Sequence, residues 1–170
     1  MNRSSGILLP ISSLPSAYGI GTFGAAAYAF ADFLHEAGQK YWQLLPLGPT
    51  SYGDSPYQSF STFAGNPYFV DLDLLIEDGL LLQEEVEACD WGEDSRHVDY
   101  GKIYESRFAV LEQAKARGYA RDYEDVQAFC QENEQWLDNY ALYMACKKHF
   151  GMKAWSEWDD KDIRMNRPDA

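Results

Sequence analysis

Residues 6–47 read GILLPISSLPSAYGIGTFGAAAYAFADFLHEAGQKYWQLLPL, and the fold class follows from how this stretch divides. Gly6 to Ile11 is a short apolar run with a proline near its end, which reads as a buried strand. Thr22 is a good N-cap for a helix that carries Ala26, Phe30, Phe33, Leu34 and Ala37 on one face. That helix meets Gly38 at its C′ position. Tyr41 to Leu47 reads as a second buried strand. Strand, helix and strand in this order make a βαβ unit, whose strands run parallel through a right-handed crossover. The expected class is α/β.

The second strand opens into GPTSYGDSPYQSFSTFAGNPYFVDLD, residues 48–73, where turn formers alternate with aromatics. Tyr52, Tyr57, Phe60, Phe63 and Tyr68 supply rings, while Asp54, Ser55, Gln58, Ser59 and Asn66 supply donors and acceptors. A sugar ring needs both, an apolar face to lie on and partners for its hydroxyls. Composition alone fits an ordered loop packed by its own side chains equally well. Position favours the ligand, because bound molecules collect at the C-terminal ends of strands in such folds.

At 170 residues with a formal charge of −13 and a pI near 4.5, the chain can bury one sizeable core. It has no basic stripe for phosphates, so a nucleic-acid partner is excluded, and its acidity disfavours anionic lipid. No apolar run reaches a membrane span, and Gly6 to Leu14, broken by Pro10, is too short for a signal peptide. Cys89, Cys130 and Cys146 are odd in number and widely spaced, as in reduced thiols. The expectation is a cytoplasmic protein.

After Asp73 the alternation stops. Leu74, Leu75 and Leu80 to Leu82 read as a helical turn and its exit, and the acidic stretch Gln83 to Asp99 as solvated chain. Gly101 to Gly118 reads as a helix with Tyr104, Phe108, Leu111 and Ala114 on its apolar face. A longer helical stretch from about residue 122 to 150 carries Val126, Phe129, Trp136, Leu137, Tyr140, Ala141 and Met144 inward, with Asn133-Glu134 able to interrupt it. Trp155 and Trp158 fall in an irregular turn, and the end from Lys161 lacks a capping signal. This inventory does not close: parallel strands need cover on both faces, and a (β/α)₈ barrel takes about 250 residues. The expectation is the first part of a larger fold.

Chemistry-bearing motifs are few. His35, His97 and His149 have no metal-ligand spacing, and HExxH, CxxC and EF-hand patterns are absent from the sequence. His35 fits a dipole-compensating place in the last turn of its helix. Gly19-Ile-Gly-Thr-Phe-Gly24 matches GxGxxG but has Leu47-Gly48-Pro49 where a dinucleotide site needs an acidic residue, so it reads as turn and helix-start chemistry. Asp54, Asp71 and Asp73 could pair carboxylates for glycosidic chemistry, although a capping or salt-bridging role suits Asp71 and Asp73 better.

SSGILLPISSLPSAYGIGTFG, YWQLLPLGPTSYGDSPYQSFSTFAGNPYFVDLDLL, VDYGKIYESRF and WLDNYALYMACKKHFGMKAWSEW together resemble the N-terminal part of the amylomaltases. These are bacterial 4-α-glucanotransferases, also called disproportionating enzymes. The likeness weakens only at Gln83 to Ser95 and after Asp159. It implies a (β/α)₈ TIM barrel with an inserted helical subdomain: residues 1–72 as its first strands and helix with a substrate loop at 48–68, and 73–170 as mainly helical insert. It implies cofactor-free transfer of α-1,4-glucan segments between maltooligosaccharides by a retaining double displacement. The family's catalytic carboxylates belong to later barrel strands, beyond Ala170, so the resemblance assigns no catalytic residue here. Ser55 and Tyr57 match residues that contact sugar at the active site, with Asp54 beside them. Tyr52 and Tyr104 match a tyrosine pair that forms a second glucan site in some members. A non-catalytic glucan-binding module and a hydrolytic α-amylase-type barrel are the alternatives.

Overall fold

In the computed structural model, which describes residues 3–50 and 54–165, strand β1 (Gly6–Leu8) pairs in parallel with β2 (Tyr41–Gln43). Gly6 lies opposite Tyr41 and Leu8 opposite Gln43. Helix α1 (Ala25–Glu36) connects them, so the expected βαβ unit is present. Both strands are shorter than the apolar runs that signalled them. The Leu9 amide still donates to the Gln43 carbonyl at 3.1 Å, but Pro10 has no N–H to continue, and a 3-10 turn takes over at Ile11–Ser13. The strands are also exposed rather than buried, apart from the half-buried Trp42. A parallel pair is buried only when layers cover both faces, and the described residues cover one.

Helix α1 ends as the sequence requires. Gly38 adopts φ +70°, its amide donates to His35 and that of Gln39 to Leu34, which is a Schellman closure. The start differs from expectation. Gly24, not Thr22, is the N-cap, and the buried Thr22 hydroxyl instead donates to Asp71 Oδ2. A side chain at Gly24 would collide with that same carboxylate. Ala27 and Leu34 are buried, Phe30 sits edge-on to Trp42 at 4.9 Å, and Phe33 is exposed. Ile11, Leu14 and Ala27 form the core under the sheet, with Leu9, Phe30, Trp42 and Phe69 packed against them.

The chain divides into two compact units, Met1–Asp122 and Tyr123–Ala170. The first continues with α2 (Leu72–Glu77), α3 (Gln83–Glu87) and α4 (Tyr100–Gly118). Asp71 caps α2 by accepting from the Leu74 amide at 3.0 Å, and Asp73 accepts from the Tyr18 hydroxyl at 2.7 Å. The acidic stretch is not simply solvated. Val86 on α3 is fully buried and its carbonyl accepts from the Trp91 indole at 2.8 Å, so two apolar side chains anchor the segment. Tyr18, Leu72, Leu81, Val86, Val110 and Ala114 form one core, and Ile20, Tyr68 and Ile103 another.

Helix α4 buries only part of the stripe expected, Ala114 fully and Leu111 partly. Ile103, Arg107, Val110, Ala114 and Gly118 face inward, while Tyr104 and Phe108 are exposed by 43% and 37%. The two stripes are neighbours, offset by one residue over the first two turns and meeting at Ala114. An arginine inside the true stripe made it look polar and gave the aromatic one beside it the better apolar pattern.

In the second unit, α5 (Tyr123–Glu132) and α6 (Leu137–His149) are separated at Asn133, whose side chain donates to the Phe129 carbonyl and accepts from the Trp136 indole. The expected interruption is therefore there, although no residue of either helix is fully buried. Trp158 is buried and stacks on Phe150 at 5.2 Å. The final turn, α7 (Lys161–Arg164), is capped at its start by Asp160, which accepts from the amides of Asp162 and Ile163. Among the described residues no helix is long and apolar enough to cross a membrane, and the three cysteines are free.

Candidate glucan-binding cleft

Parallel pairing puts the C-terminal ends of β1 and β2 on one side of the sheet, and a cleft lies there. Pro10, Ile11 and Ser12 from the end of β1 and Leu45, Pro46 and Leu47 from the end of β2 form its floor. Asp54, Asn66, Tyr68 and Tyr100 bring polar groups and rings to it. At about 80 Å³ it falls well below the ~300–1,000 Å³ of a closed ligand pocket, and so constitutes one wall of a site.

The loop between Leu47 and Asn66 closes on itself. The Asn66 amide donates to the Leu47 carbonyl at 2.9 Å, and Asn66 Oδ1 accepts from the Tyr68 amide at 3.0 Å, capping a 3-10 turn at Pro67–Phe69. Ser59 donates to the Ser61 carbonyl at 2.7 Å, and Ser61 Oγ accepts from the amides of Phe63 and Ala64. Ser55 does the same at the other end, with its carbonyl accepting from Gln58 at 3.1 Å and its Oγ from the Tyr57 amide at 3.4 Å. Ser55, Ser59, Ser61 and Asn66 thus spend their side-chain oxygens on holding the loop itself.

Asp54 is held at φ +55°, a left-handed conformation that an aspartate tolerates better than most residues. Burial raises its carboxyl group above the usual aspartate range. Tyr68 is pushed up to about 12 by burial first and then by the Asp54 charge, and Tyr100 is raised for the same two reasons. Both phenols therefore stay protonated at neutral pH and can donate to a sugar oxygen, with Asp54 as an acceptor beside them. Among the described residues Asp54 alone brings a carboxyl group to the cleft. Retaining acetal cleavage needs two, about 5–5.5 Å apart.

The residues singled out from sequence fall in different places. Asp54 lines the cleft, and Ser55 and Tyr57 lie beside it in the loop, with the Tyr57 ring 73% exposed. Tyr104 stands on α4 with its ring 5.1 Å from Phe108, which in turn meets Tyr68 edge-on at 6.0 Å. Tyr52 lies outside the described residues. Tyr100 escaped the sequence reading because the chain reaches the cleft with it only after the whole of α2 and α3. Its one local signal is that it follows Asp99, which caps α4 through the Lys102 amide. No three His, Cys, Asp or Glu side chains converge among the described residues.

A profile described as 4-alpha-glucanotransferase matches residues 9–170. A 4-alpha-glucanotransferase of Streptococcus pneumoniae is 54% identical over 169 residues, covering 99% of this chain and 34% of that protein. One from Clostridium butyricum is 51% identical over 157 residues, covering 92% of this chain and 32% of its own. Among solved structures, an amylomaltase from Streptococcus agalactiae in complex with acarbose superimposes with a TM-score of 0.92 at 47% identity. That match takes in 99% of this chain and 34% of the other. The chain thus spans about a third of the length of these relatives. A match over nearly all of its residues establishes that the chain belongs to the 4-alpha-glucanotransferase family.

Proposed function

We propose that this chain supplies the N-terminal wall of the glucan cleft in a 4-α-glucanotransferase that moves α-1,4-glucan segments between maltooligosaccharides. The observation that carries the reading is the cleft at the C-terminal ends of β1 and β2, where Asp54, Tyr68 and Tyr100 offer an acceptor, donors and rings together. In this reading β1 and β2 are the first strands of a (β/α)₈ barrel. Residues 1–72 belong to the barrel, with the substrate loop at 48–68, and 73–170 to a helical insert. The bare faces of both strands suit such a barrel, whose helices and remaining strands would cover them. Asp54, Ser55 and Tyr57 meet the sugar near the bond that breaks, and Tyr52 and Tyr104 hold glucan farther away.

The reaction is a retaining double displacement that asks for no cofactor. A carboxylate displaces the leaving segment from the anomeric carbon while a second carboxyl group protonates the departing oxygen. An acceptor hydroxyl then releases the glycosyl group, with that second group now taking the proton. This chain's part is to bind and orient the sugar for both steps. The test is a chimera in which this chain replaces the corresponding third of the Streptococcus agalactiae amylomaltase. Incubated with maltotriose, it should release glucose together with products longer than maltotriose. A folded chimera that makes neither, or that yields only shorter sugars, overturns the reading.

A further inference from the structure

The first unit carries one charge that neither the core nor the cleft accounts for. Arg107 is completely buried, yet its Nε and Nη1 have no hydrogen-bond partner among the described residues. Its Nη2 donates to the Val70 carbonyl at 2.7 Å, and its guanidinium lies 5.9 Å from the Trp91 ring centroid. Burial lowers its basicity to about 10, while nearby Asp71 and Tyr68 favour the charge. A buried cation without a bonded carboxylate is among the costliest groups a fold can hold, and an apolar side chain of equal length would pack there at less cost. Packing alone therefore does not explain the residue.

What the guanidinium reaches is the segment that carries the cleft wall. Val70 closes the 3-10 turn whose middle residue is Tyr68, and Asn66 caps that turn from the other side. Helix α4 holds Arg107 from behind. Trp91 is fixed in turn by its bond to Val86, and the neighbouring Asp90 carbonyl accepts from Ser106 at 2.8 Å. We infer that Arg107 is a positioning residue for the glucan cleft, strapping the Asn66–Val70 turn to helix α4 so that Tyr68 keeps its place opposite Asp54. The inference rests on the proposed glucan-binding reading for its purpose, but the strap itself is testable without any sugar.

The experiment uses the 170-residue chain with Arg107→Met and Arg107→Lys, followed by peptide-resolved hydrogen exchange, thermal melting and calorimetric titration with maltoheptaose. In the parent the amides of Tyr68, Phe69 and Val70 should be protected. In R107M they should exchange about 10-fold faster or more, the size of one lost charge-assisted hydrogen bond, while exchange in β1 and β2 stays put. Melting should hold or rise, since a buried unpaired charge is gone, whereas maltoheptaose affinity should weaken. R107K, with a charge but a single-point donor, should fall between. A merely structural arginine predicts the reverse, a lowered melting point with unchanged affinity of the folded fraction. Unprotected amides at 68–70 in the parent, unchanged exchange in R107M, or global unfolding of both variants each overturns the strap. Faster exchange in R107M with no maltoheptaose binding by the parent keeps the strap and removes the glucan-binding reading.

Discussion

Asp71 ties three parts of the first unit together, and Asp71→Ala should cost far more than a surface carboxylate normally does. Its Oδ1 caps α2 through the Leu74 amide at 3.0 Å, and its Oδ2 takes the hydroxyl of the buried Thr22. Losing the cap costs about 1 kcal/mol, and leaving the Thr22 hydroxyl buried without an acceptor costs ~1–3 kcal/mol more. Arg107 also loses a carboxylate that favours its charge. The expected total is about 2–5 kcal/mol, or a melting point lower by roughly 10 °C or more. Asp71→Asn keeps the cap through its one oxygen and turns an amide donor to Thr22, whose hydroxyl must then accept, so it should cost about half as much or less. Thr22→Val removes the other partner, so T22V/D71A should fall short of additivity by about 1 kcal/mol. Melting by far-UV circular dichroism, with exchange at the α2 amides as a local readout, compares the four variants with the parent. A D71A melting point within about 2 °C of the parent would refute the reasoning, since that is under ~0.5 kcal/mol for a unit of this size.

Further outcomes are expected. The 170-residue chain alone should neither disproportionate nor hydrolyse maltotriose, because Asp54, the one carboxyl group that the described residues bring to the cleft, cannot serve as both nucleophile and acid; glucose release by pure chain would contradict this. In the chimera, Tyr57→Ala should lower kcat/KM by about 10- to 1000-fold, and an unchanged value would return the loop to a purely structural role. Tyr52→Ala and Tyr104→Ala should spare maltotriose but change the product sizes or KM on amylose, and be strongly non-additive; equal losses on both substrates would end the second-site idea. The Arg117 guanidinium, 2.7 Å from Glu85, lowers that carboxyl from 4.5 to about 2. The folded form is the stronger acid, so this pair's support is complete above about pH 4.5 and fades as pH falls towards 2. Glu85→Gln should flatten stability across that window only slightly, because both side chains still meet water.

The βαβ unit was legible because its punctuation is local. Gly38 at φ +70° marks where the helix must stop, whatever surrounds it. Strand length was not local, since a ladder extends only as far as its partner offers groups, and Pro10 removes one donor at once. Thr22 shows the same limit in small. Its hydroxyl suits a helix cap, but a half-buried carboxylate forty-nine residues on is the better acceptor, and the helix takes its cap two residues later from glycine.

The cleft divides along the same line. Its loop announces itself through rings and turn formers, and Asp54 from that loop lines the cleft. Tyr100 and Arg107 carry no such sign, because what they do depends on α4 lying across the end of the loop. Arg107 in particular hid its own helix face, since any reading by apolar periodicity discounts a charge. That is why the mismatch is informative. A polar residue in a buried stripe lowers local consistency, and folds keep such conflicts where something else requires them. On α4 the inward positions Ile103, Val110 and Ala114 are apolar, and the exception stands at the level of Val70. The one break in the helix's pattern therefore falls where the helix meets the wall of the cleft, rather than in the core beneath α2 and α3, where a charge would have nothing to hold.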